Sequence, residues 1–172
     1  MWMMIFMILP FLAIAYVGWH VWSLVPLPRL FRAILIITGI LSFLLIFLNF
    51  NRTIDRMPLW LARLSYDISN SSLFILLYLV ITFLVLDLGR LVRLIPKGWV
   101  CQNVYTTIII SLALFVVFLA GNIHYRHKKR VELQLTTEKE LKKPLRLVML
   151  SDLHLGYHNT RAELHRWVDM IN

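Results

Sequence analysis

Apolar side chains crowd the first 125 positions into four runs separated by short polar stretches: Met1 to about Trp22, Ala33 to Phe50, Leu73 to Leu88, and Val104 to Tyr125. A helix needs about 20 apolar residues to cross a hydrocarbon core of about 30 Å. The first and last runs reach that length. The second falls slightly short, and the third reaches it only with polar residues from Asn70 onward. The pattern predicts an all-α transmembrane segment of about four spans. Pro10 lies inside the first span, where neighbouring helices can satisfy the carbonyl left without a donor. No Lys or Arg precedes that run and no small-x-small cleavage site follows before Trp19 and Trp22, so it reads as a retained helix rather than a secretory signal.

The connections and the tail carry other periods. Met57, Trp60, Leu61 and Leu64 share one helical face, which fits a short helix in the headgroup region or a plain loop with scattered apolar residues. After Tyr125 the chain turns polar. Val131, Leu133 and Leu135 alternate with Glu132 and Gln134, the period of a short half-exposed strand, and Thr136 to Lys143 form a charged loop. Leu145, Leu147, Val148, Met149 and Leu150 then make a mostly apolar run, as in a strand buried on both faces. Beyond a loop, Thr160 and Glu163 have capping-box spacing, and Leu164, Trp167, Val168 and Ile171 form one helical stripe. Strand, loop and helix read as the first β-α unit of an α/β domain.

Composition strengthens the membrane assignment. The chain of 172 residues is 59% hydrophobic, against about 45–50% for ordinary globular domains. Its net charge of +9 would suggest nucleic acid in a soluble protein, but the basic residues flank the apolar runs and gather just after the last one. That is the distribution of topology signals and anionic headgroup contacts, so the expected partner is the lipid bilayer and not nucleic acid. With four spans, Arg52, Arg56, Arg63, Arg126, Lys128, Lys129 and Arg130 face one side, against Arg29, Arg32, Arg90, Arg93 and Lys97 on the other. This predicts both termini in the cytoplasm. Asp87 is the one acidic residue near a membrane core, and Arg90 three positions later is its expected partner. His20 is expected to anchor the helix at an interface. A lone Cys101 excludes an intramolecular disulfide.

The candidate chemistry lies in Leu145–Gly156. Asp152 and His154 follow the apolar run at i and i+2, a spacing that in extended backbone points both side chains to one side. A carboxylate oxygen and an imidazole nitrogen converging there suit half a site for a divalent transition metal. His158 and His165 read as polar surface residues. The stretch Ser151-Asp152-Leu153-His154-Leu155-Gly156 resembles the opening D-x-H block of the calcineurin-like metallophosphoesterases. The whole chain is similar to their bacterial membrane type, in which about four helices precede the catalytic domain.

The resemblance implies a transmembrane domain over 1–125, a basic juxtamembrane linker over 126–144, and the start of an incomplete α/β metallophosphoesterase domain over 145–172. It implies that Asp152 and His154 bind one of two divalent ions of Mn, Fe or Zn type. The bridging G-D-x-x-D block and the later G-N-H-[DE] and G-H-x-H blocks are not in this sequence, so a C-terminally truncated and inactive fragment is expected. In the complete family, metal-bound water attacks a phosphate mono- or diester. A membrane location, a bacterial inner membrane by this resemblance, suggests a lipid-linked phosphoester substrate. The alternative is a non-enzymatic membrane module that binds a partner or a small ligand.

Overall fold

Three prolines set where helices begin or connections turn. Pro28 directly precedes α2 (Arg29–Leu44), and its carbonyl accepts from the Arg32 amide at 3.2 Å. Pro58 precedes α4 (Leu59–Leu91) in the same way, accepting from Leu61 and Ala62. Proline lacks an N–H and has φ locked near the helical value, so it starts a helix at low cost and cannot continue the one before it. Pro96 leads into a 3₁₀ turn at Lys97–Trp99. The remaining helices are α1 (Trp2–Leu24), α3 (Ile46–Phe50), α5 (Val104–Arg126) and α6 (Arg161–Ile171). The computed structural model describes residues 2–127, 131–134, 136, 143, 147–151 and 153–171, with side chains from residue 8 onward.

Among the described residues the regular elements are all helical, and three stretches are long and apolar enough to cross a membrane: Arg29–Phe50, Leu59–Leu91 and Val104–Arg126. The part of α1 whose side chains are described, Ile8–Leu24, is apolar but shorter. The third span differs from its expectation. The segment around Met57–Leu64 is neither a separate headgroup helix nor a plain loop, because α4 runs unbroken for 33 residues from Leu59. No Pro or Gly interrupts positions 59–88. The polar residues in its first half are accommodated by hydroxyls that bond back to their own helix, Ser69 Oγ to the Tyr66 carbonyl at 3.0 Å and Ser72 Oγ to the Ser69 carbonyl at 2.7 Å.

The chain divides into two units, Met1–Gly121 and Asn122–Asn172. In the first, α1 packs on α4 through Val17, Leu24 and Phe83, with Leu76, Leu79, Val80 and Ile110 around them. A second contact on α4 is built from small residues: Ala62, Ser65 and Ser69 are buried, and Asn49 donates to Ser69 Oγ at 3.0 Å. Small side chains let helix backbones approach closely where lipid offers no hydrophobic drive for association. The entry to α5 is tied to the end of α1. The Gln102 and Asn103 amides donate to the Ser23 and Leu24 carbonyls at 2.8 and 3.0 Å, satisfying carbonyls that a helix end leaves open. Asn103 then caps α5 by accepting from the Thr106 amide at 3.0 Å.

In the second unit, α6 buries Trp167 and pairs Glu163 with Arg166 at 3.1 Å. The two predicted strands are not formed among the described residues: Val131–Gln134 and Leu147–Leu150 take no regular structure. A strand satisfies its backbone groups only on a neighbouring strand, and none of the described residues provides one.

Candidate functional site

Leu147–Leu150, ahead of the D-x-H motif, are uncovered, while Leu145 lies outside the described residues. Leu147 is 75% exposed and Met149 89%, so no buried strand is formed among the described residues. Asp152 lies outside the described residues. His154 is exposed and has φ 40°, in the left-handed region, where His occurs more readily than most side chains. The backbone is therefore not extended at His154, and the same-side argument for the i, i+2 pair does not hold there.

Around His154 the backbone closes into a loop organised by Asn159. The Gly156 amide donates to the Asn159 carbonyl at 3.0 Å, and the Asn159 amide group donates to the Leu153 carbonyl at 2.9 Å. The Tyr125 hydroxyl donates to Asn159 Oδ1, and the Tyr125 ring lies 5.3 Å from the His158 ring. In sequence Asn159 merely precedes Thr160, the first residue of the capping-box pair. Its bonds instead span Leu153 to Gly156 and hold His154 inside a short closed loop. An Asn flanked by a Gly three residues earlier is the signal that could have suggested it, because Asn side chains bond readily to nearby backbone. His165 is exposed on α6, as a surface residue.

The donor types fit a divalent metal, but two donors do not fill a coordination sphere. Among the described residues no group of three or more His, Cys, Asp or Glu side chains could hold an ion. The described residues do not by themselves form a metal centre.

A different polar cluster lies between α1 and α4. Asp87 accepts from the Tyr16 hydroxyl at 2.7 Å and lies 3.0 Å from His20 Nε2, while Arg90 is more distant at 3.7 Å. His20 is also stacked on Phe83, with ring centroids 4.6 Å apart, and meets Tyr16 edge-on at 4.6 Å. The expected Asp87–Arg90 pair is present, yet the shorter contacts come from α1, and His20 is a bridging residue and not merely an interfacial anchor. Tyr16 and His20 are one helical turn apart, which was the readable hint. Elsewhere the buried Arg32 donates to the Trp22 carbonyl and lies 4.8 Å over the Trp22 ring, a cation–π contact.

Comparison with known proteins gives one kind of match. The chain is 31% identical over 129 residues to a Danio rerio transmembrane protein with metallophosphoesterase domain, an alignment covering 69% of this chain and 29% of that protein. The chain thus spans about 29% of the relative's length. No protein-family model matches the chain, and no solved structure matches it significantly.

Proposed function

We propose that this chain is the membrane-embedded beginning of a metal-dependent phosphoesterase. The observation that carries the reading is the order of parts: apolar helices capable of spanning a bilayer, then Ser151-Asp152-Leu153-His154-Leu155-Gly156. A relative whose name joins the same two parts supports it. In this reading α1 is a fourth span, both termini are cytoplasmic, and the membrane is a bacterial inner membrane. Asp152 and His154 hold one of two divalent ions, and the substrate is a lipid-linked phosphoester. The bare Leu147–Leu150 run is then the first strand of a sheet whose neighbours, with the remaining metal ligands, lie on further sequence beyond Asn172.

The first test is the reading frame after Asn172. A G-D-x-x-D block within about one further β-α unit supports the phosphoesterase, and a stop codon directly after Asn172 removes it. The second is hydrolysis of a generic phosphodiester with manganese. The 172-residue chain is expected to be inactive. In protein extended by its own downstream sequence, Asp152→Asn or His154→Ala lowers turnover by at least about 100-fold, since even partners of metal ligands are worth 10–100-fold. Unchanged turnover in both variants would separate these residues from catalysis.

A further inference from the structure

The Met1–Gly121 unit contains a cavity of about 690 Å³ walled by α1, α2, α4 and the first turns of α5. Its size falls within the range of about 300–1,000 Å³ typical of ligand sites, which occur often between the helices of bundles. The wall is overwhelmingly apolar. Its polar members are mostly hydroxyls, and two of these are already used: Ser72 donates to the Ser69 carbonyl and Thr107 to the Asn103 carbonyl. Asp67, the one charged residue in the wall, has an interaction of its own. Among the described residues no Lys, Arg or His lines it, so the cavity has no means to recognise a phosphate group.

The surroundings identify the occupant. The cavity is not enclosed: its lining includes Leu35 and Ile75, which are 49% and 40% exposed. Both lie inside stretches apolar and long enough to cross a bilayer. Beside these two residues the surrounding medium is bilayer hydrocarbon. We propose that this cavity binds one hydrocarbon tail of a bilayer lipid, entering tail-first past Leu35 and Ile75 with the headgroup left outside. The site is independent of the phosphoesterase reading and stands whether or not the chain is part of an enzyme.

Gly39 supplies the test. It lines the cavity, and a Cβ built there meets nothing within 4 Å, so a large side chain at this position fills space without displacing backbone. The chain is reconstituted in phosphatidylcholine nanodiscs doped with a phosphatidylcholine carrying a mid-chain diazirine, photolysed, and mapped by mass spectrometry. Adducts are expected to concentrate on Gly39, Ser42 and Ser71 over the exposed α5 residues Ile109 and Phe115. Gly39→Phe is expected to lower the cavity adducts about tenfold, because it removes room for several buried methylenes, while leaving those on Ile109 and Phe115 unchanged. Ser71→Leu fills the cavity from the α4 side and repeats the test should Gly39→Phe fail to accumulate. Cavity adducts no more frequent than those on α5, or unaffected by both variants, overturn the proposal. So does native mass spectrometry that finds a two-copy species carrying no phosphatidylcholine, which assigns the cavity to a second copy of the chain.

Discussion

Both units of this protein leave large apolar side chains uncovered, but for different physical reasons. On α5, Ile109 and Phe115 are about as exposed as Val148 in the tail: 60%, 62% and 52%. A helix closes its backbone hydrogen bonds within its own segment, so its apolar surface needs only an apolar solvent, and a bilayer provides one. The Leu147–Leu150 run has no such independence. It forms no regular structure, and as a strand it would need a neighbour for every second backbone group as well as cover for both faces. Equal hydrophobicity therefore means a finished surface in one unit and an unpaired element in the other.

The contrast can be tested directly. Its largest expected effect is in amide exchange: in lipid nanodiscs, the Leu73–Leu88 amides of α4 should exchange at least about 1,000-fold more slowly than those of Leu147–Leu150. Comparable protection in the two would break the contrast by revealing a partner for the tail. Next comes the small-residue contact on α4. Ser69 is fully buried and bonded to both Asn49 and Tyr66, so Ser69→Leu should cost about 2–3 kcal/mol through overpacking and a lost partner, measured by denaturation in mixed micelles.

The polar cluster should yield less. Asp87→Asn keeps the shape but weakens two charge-assisted contacts, at about 1 kcal/mol, a typical value for polar contacts between membrane helices. Combined with His20→Leu, its effect should be less than additive, because both changes remove the same interaction. Strict additivity would show that Asp87 and His20 are not coupled. The smallest effect belongs to the tail, where Met149→Asp should shift the stability of this chain by no more than about 0.5 kcal/mol. A loss of several times that would mean Met149 is covered after all.

Much was legible from residue order alone. Apolar length marked runs at Ala33–Phe50, Leu73–Leu88 and Val104–Tyr125, each of which falls inside one of the three long apolar stretches, though the third missed the first half of α4; the period of Leu164, Trp167, Val168 and Ile171 marked α6, of which Trp167 is the buried member. These are local properties, set by helix geometry and by the solvent each face meets. No strand forms among the described residues for the complementary reason: an apolar run states a preference, and pairing depends on residues elsewhere.

What folding alone decided involves long separations along the chain. Asp87 had a partner in its own helix at Arg90, yet its closest contacts are to Tyr16 and His20, 71 and 67 positions away. The tie from Gln102 and Asn103 to the end of α1, and the cavity bounded by Gly18, Gly39 and Ser71, exist only because four helices meet. Periodicity tells a helix which face to bury, but the side chain met there is chosen by packing, since a helix offers the same apolar stripe to any neighbour of suitable shape.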